Sequence, residues 1–167
     1  MNEIITERLI LKPLQRSDEE KLYGLHSDPE VMKHIRSPDS DIFQTKKTIK
    51  TTLDYTSKNP SFGIWCAFSK EDQAFIGWGL LLHIEMKMEN PIEVGFRLHS
   101  KNWLLGYGFE IGSALVQYGK DIGLKKITAV TIDDNIGSQK TLEKCGLRYI
   151  EDRIYYSLQC RYYEVKL

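Results

Sequence analysis

The stretch that most restricts this chain's fold lies between Ile92 and Gly123. Ile92, Val94, Phe96 and Leu98 alternate with Glu93, Gly95, Arg97 and His99, the period of a strand with two different faces. A turn holding Gly106 and Gly108 follows. Ile111, Leu115, Tyr118 and Ile122 then recur at helical spacing, and Gly123 stops the run. A strand that passes through a glycine turn into a helix belongs to a layered α/β structure. The first-turn N–H groups of that helix lack intrahelical partners and carry partial positive charge. Gly106 and Gly108 leave no side chain between that backbone and a ligand, so the unit reads as a pyrophosphate cradle. Spacing alone equally allows a tight turn with no ligand.

Two phosphate-binding frameworks can be set aside. Gly106, Gly108 and Gly112 give G-x-G-x-x-x-G rather than G-x-G-x-x-G. Asp133 stands near the place of a ribose-binding acid, but only 34 residues follow it, too few for two mononucleotide-binding halves. No Gly-Lys-Ser/Thr is present, so there is no Walker loop.

The remaining pattern predicts mixed α/β layers in one domain over residues 1–167. Ile4 to Leu14 reads as a first strand. Ser17 with Glu20 resembles a capping box, opening a helix with Leu22 and Leu25. Asp28-Pro29 opens a second with Val31 and Met32. A third helix is expected from Asp41 to Ser57, with Ile42, Ile49, Leu53 and Thr56 on one face. Phe62 to Ser69 and Ala74 to Met86 read as paired strands. After the glycine unit come a strand at Lys125 to Asp133, a helix at Ile136 to Lys144 ended by Gly146, and strands at Tyr149 to Tyr156 and Cys160 to Leu167.

Charge narrows the partners. Twenty-three basic and twenty-three acidic side chains cancel, which disfavours a nucleic-acid partner. Locally, five bases from Arg97 to Lys126 face two acids, a modestly basic stretch around the cradle. Cys66, Cys145 and Cys160 are odd in number and widely spaced, and the four histidines form no close pair, so no metal is expected. The most apolar run is too short to span a bilayer. A cytoplasmic protein with no membrane partner is expected, as a monomer or homodimer.

Four ordered segments resemble the RimJ/RimL-like branch of the GNAT acetyltransferases. They are Thr6-Glu7-Arg8-Leu9-Ile10-Leu11-Lys12-Pro13-Leu14; Ser27-Asp28-Pro29-Glu30-Val31-Met32; Glu93-Val94-Gly95 with Trp103-Leu104-Leu105-Gly106-Tyr107-Gly108; and Asn135-x-x-Ser138 with Leu142-Glu143-Lys144-Cys145-Gly146-Leu147. The resemblance implies a mixed, mostly antiparallel sheet of six to seven strands flanked by helices. It also implies acetyl transfer from acetyl-CoA to an amine, on a small molecule or a protein N-terminus, without a metal.

By resemblance, pyrophosphate sits on the backbone of Leu105, Gly106, Tyr107, Gly108 and Phe109. The pantetheine arm runs between the strands ending at Leu98 and Ile132. A backbone N–H near Phe96 to Leu98 serves the oxyanion, and Asn135 touches the arm while capping its helix. Glu93 is the candidate base, with Glu151 and Asp152 as rivals. Ser138 is the candidate acid for the leaving thiolate. Leu142 stands where many relatives place a Tyr acid, and Leu105 where the branch often has a cation. His99, Tyr155, Tyr156, Tyr162 and Tyr163 either line an acceptor pocket or are strand-pairing aromatics. A catalytically silent acyl-CoA-binding domain is the competing reading.

Overall fold

The computed structural model describes residues 1–167. Eight strands form one sheet in the order β1-β2-β3-β4-β5-β6-β8-β7, one more than the upper expectation. The strands are β1 (Ile4–Ile5), β2 (Leu9–Pro13), β3 (Gly63–Ser69), β4 (Phe75–His83), β5 (Ile92–Leu98), β6 (Lys126–Thr131), β7 (Arg148–Tyr155) and β8 (Leu158–Lys166). The expected first strand is thus split: Thr6 turns the chain, its Oγ1 accepting from Leu9 N at 3.0 Å. Every pairing is antiparallel except β5 with β6.

The helices are α1 (Glu19–His26), α2 (Pro29–Met32), α3 (Ile42–Lys58), α4 (Tyr107–Asp121) and α5 (Ile136–Lys144). Asp28 and Asp41 cap α2 and α3 by accepting backbone N–H groups. Before α1 the cap is not Ser17 with Glu20. A 3-10 turn at Arg16–Asp18 intervenes, and the Asp18 carboxylate accepts from Gln15 N at 3.0 Å. The fully buried residues of α3 are Thr45, Ile49, Thr52 and Tyr55. Of the expected apolar face, Ile49 is buried, Leu53 packs half-buried against the same core, and Ile42 and Thr56 are half-buried.

The sheet carries a core on each side. Val94, Leu98, Ile111, Leu115, Ile127, Leu142 and Tyr163 belong to one cluster, under α4 and α5. Leu22, Leu25, Ile49, Cys66 and Trp78 belong to the other, under α1 to α3. Alternation along β5 therefore sends Val94, Phe96 and Leu98 toward α4 and α5. Glu93, Gly95 and Arg97 face α1 to α3, in register with Leu82, Leu80 and Trp78.

Strand β4 stops at His83, short of the expected Met86. Glu85 and Met86 adopt left-handed φ values of 57° and 53°, which turn the chain away from the ladder. No glycine, proline or asparagine marks that break.

Candidate active site

The site is built where the sheet parts. β5 and β6 pair at Glu93 and Thr128 alone, reinforced by Thr128 Oγ1 donating to Ile92 O at 2.8 Å. Beyond that pair the two strands separate. The facing edges of Gly95–Leu98 and Ala129–Thr131 are left without each other as hydrogen-bond partners. Phe96 and Leu98 are held in place from the other side by Gly79 and Gly77 of β4.

The glycine turn sits at the open end of this gap. Gly106 is the N-cap of α4 with φ +84°, a conformation that costs an L-residue about 1–2 kcal/mol. The N–H groups of Tyr107, Gly108 and Phe109 form the unpaired first turn. Gly108 has a different reason to be glycine from the one expected. It is buried, and a Cβ there would lie 3.3 Å from the Phe96 ring, so it lets α4 approach β5. Gly112 likewise admits Cys145, whose Sγ would stand 2.7 Å from a Cβ. Trp103 closes the end of β5, its Nε1 donating to Leu98 O at 3.1 Å. Leu105 and Phe109 are exposed at the rim.

A cation does reach the turn, from a part of the chain the sequence did not connect with it. Arg8 Nη1 donates to Leu105 O at 3.0 Å, Arg8 Nε donates to Glu110 Oε2 at 2.7 Å, and the guanidinium lies 4.4 Å over the Tyr107 ring. Two members of the expected basic stretch lie elsewhere. Arg97 lies on the opposite face of the sheet, and Lys126 pairs with Glu164 at 2.9 Å.

Glu93 is only 5% exposed. Burial pushes its carboxyl up to about 7, against a hydrogen bond from Tyr156 that pulls it down. The Tyr156 hydroxyl donates to Glu93 Oε1 and accepts from Glu85 N at 3.2 Å, while Tyr156 N donates to Glu85 Oε1 at 2.7 Å. Burial and the neighbouring Glu93 carboxylate push the Tyr156 phenol above its ordinary range, so it stays protonated. Tyr156 and Ser157 make the two-residue turn between β7 and β8 with φ 55° and 59°. This turn aims Tyr156 at Glu93.

The other tyrosines do not join it there. Tyr162 and Tyr163 are buried strand residues, Tyr155 stacks 6.3 Å from Tyr162, and His99 packs edge-on against Phe75. Glu151 and Asp152 are exposed; the first pairs with Arg153 at 2.6 Å and the second accepts from Tyr149 at 3.1 Å.

Asn135 caps α5, its Oδ1 accepting from Ser138 N at 3.1 Å. Ser138 is half-buried. One turn further along α5, Thr141 and Leu142 pack toward Gly108 and the core. Ser138 thus lies on the α4–α5 side and Glu93 on the other, with the gap between β5 and β6 joining the two faces. A molecule lying in the gap is open to both.

Comparison with known proteins identifies the family. Residues 8–148 match the family described as the acetyltransferase (GNAT) domain. The chain belongs to that family, whose acyl donor is acetyl-CoA. FsC-acetyl coenzyme A-N(2)-transacetylase of Aspergillus fumigatus is 31% identical over 155 residues, covering 87% of this chain and 65% of the fungal protein. The chain thus spans slightly less than two thirds of that relative. Among solved structures, an acetyltransferase from Agrobacterium tumefaciens superposes with a TM-score of 0.86 at 19% identity, covering all of this chain and 95% of its own. RimL, a ribosomal L7/L12 α-N-protein acetyltransferase in complex with coenzyme A, superposes with a TM-score of 0.82 at 12% identity, covering 99% and 98%. No helix is long and apolar enough to cross a membrane.

Proposed function

We propose that this chain transfers the acetyl group of acetyl-CoA directly to a primary amine. The observation that carries this reading is Glu93, a carboxylate sealed beside the gap in the sheet and held near neutrality. A general base works best when its pKa lies near the operating pH, and an amine must lose a proton before it can attack a thioester. Glu93 takes that proton, directly or through water, and the hydrogen bond from Tyr156 holds one oxygen of the carboxylate in place. A silent acyl-CoA-binding domain gains nothing from burying such a group, so catalysis is the better-supported role.

The donor's pyrophosphate meets the backbone of Leu105 to Phe109, with Arg8 as the nearby cation. Its pantetheine arm fills the gap between β5 and β6, where the unpaired edges offer hydrogen bonds. A backbone N–H near Phe96 to Leu98 faces the carbonyl oxygen as charge develops there. Ser138 gives a proton to the departing thiolate, and Asn135 supports the arm. Leu142 is a core residue, which leaves Ser138 as the hydroxyl nearest the open end of α5. The RimJ/RimL-like segments favour an N-acetyltransferase of that branch.

Thiol release from acetyl-CoA, followed over a panel of primary amines, tests the reading. Amine-dependent release supports it, and so does its loss in Glu93→Gln. Tight acetyl-CoA binding with no release for any amine would establish the silent alternative.

A further inference from the structure

The face of the sheet that carries Glu93 holds a second polar group that the acetyl-transfer scheme does not use. Arg97 is two steps along the same face of β5, about 13 Å of strand away. Its guanidinium stacks 4.7 Å over the Trp78 ring, and His26 meets the same ring edge-on at 6.4 Å. Five buried side-chain nitrogen or oxygen atoms in the chain have no hydrogen-bond partner. Two of them are the N–H donors Trp78 Nε1, of this indole, and Arg97 Nε, of the guanidinium stacked on it; a third is His26 Nε2.

The charge around it does not balance either. The nearby carboxylate, Asp39, already accepts from Arg36 Nη1 and from Thr45 Oγ1, each at 2.5 Å. Burial first, and then Arg97, push His26 down to about 4, so it is neutral at physiological pH. Two guanidinium groups therefore face one carboxylate. Stacking on Trp78 satisfies the π face of Arg97 but leaves its Nε–H buried without an acceptor. A buried cation without a counter-charge is costly, and so is a buried donor without an acceptor. Arg97 is half-buried, so an oxyanion reaching the exposed end of its guanidinium would supply the missing counter-charge.

We propose that Arg97, stacked on Trp78, seats a carboxylate carried by the acceptor, so that the substrates are amines bearing an anionic group several bonds from the reacting nitrogen. This rests on acetyl transfer to an amine near Glu93, and it excludes purely cationic amines as the preferred class. The carboxylate belongs either to a free ω-amino acid or to an acidic side chain beside a peptide N-terminus. The site supplies the same chemistry for both.

Thiol release is measured for 6-aminohexanoate against hexylamine, and for the peptide amide Ala-Glu against Ala-Gln, with wild type, Arg97→Gln and Trp78→Phe. The wild type should prefer the acid of at least one pair by about tenfold or more in kcat/KM, carried mainly by KM. Arg97→Gln should bring that ratio close to one. Trp78→Phe, which keeps the ring but loses the N–H, should lower it partway. Which pair shows the preference identifies the source of the carboxylate. Calorimetric binding of the acids to the CoA-loaded protein gives a readout that needs no turnover, and binding lost in a folded Arg97→Gln supports the seat. Turnover of both members of each pair at equal efficiency, or a preference that survives Arg97→Gln, overturns this proposal while leaving acetyl transfer intact. Absence of turnover with every amine overturns acetyl transfer instead. Absence of acid binding in that case overturns the seat as well.

Discussion

The Tyr156 hydroxyl donates to Glu93 Oε1 across a sequence separation of 63 residues. One residue lies near the start of a central strand, and the other at the tip of the hairpin beyond the glycine unit. Their contact ties the protonation of a buried carboxyl to the geometry of a surface turn.

Glu93→Gln should lower kcat by about 100-fold or more while leaving acetyl-CoA affinity nearly unchanged. It should also alter stability in a pH-dependent way. The folded-state pKa near 7 lies above the 4.5 of a free carboxyl, so the native state binds more protons between those values, and wild-type stability falls as pH rises through that window. Above it, the buried charge costs about 3 kcal/mol. Urea unfolding should find Glu93→Gln close to wild type at pH 5 and more stable at pH 8.

Tyr156→Phe removes the hydrogen bond that favours the charged carboxylate. The acidic limb of the kcat/KM profile should move to higher pH, with a several-fold loss at neutrality that is recovered in alkaline buffer. A uniform loss at all pH values would instead mean that Tyr156 acts only through packing.

Arg8→Gln should weaken CoA binding by about two- to fivefold, as expected for a partly exposed charge. The difference from wild type should shrink in high salt. Titration calorimetry at two ionic strengths checks both.

Gly112→Ala should cost about 1–3 kcal/mol, because its methyl group meets Cys145 Sγ. Cys145→Ala in the same chain should restore much of that loss. The coupling between the two is the diagnostic quantity in a double-mutant cycle.

Ser157→Gly relieves a left-handed backbone at φ 59° and should stabilise the fold by up to about 1 kcal/mol. At this chain length that is a rise of roughly 2–4 °C in Tm. The Tyr156 contact should survive.

Much of the scaffold is legible in the residues because the signals are local. Alternation from Ile92 to Leu98 places Glu93 opposite Val94 and Phe96. The Asp28-Pro29 and Asp41 caps fix two helix starts, and Gly106 takes a backbone few other residues tolerate. What is not legible depends on distant chain segments. Arg8 reaches Leu105 from 97 residues away. Arg97 counts toward a basic stretch in sequence but points to the other face of the sheet. Tyr156 looks like its neighbouring strand aromatics until two left-handed residues turn it inward. Glu85 breaks β4 without any residue that announces a turn.

The single pairing of Glu93 with Thr128 divides the sheet into a five-stranded and a three-stranded leaf that share one rung of ladder. Glu93, the proposed base, belongs to that one rung, so the residue offered for proton transfer is also the backbone tie between the two leaves.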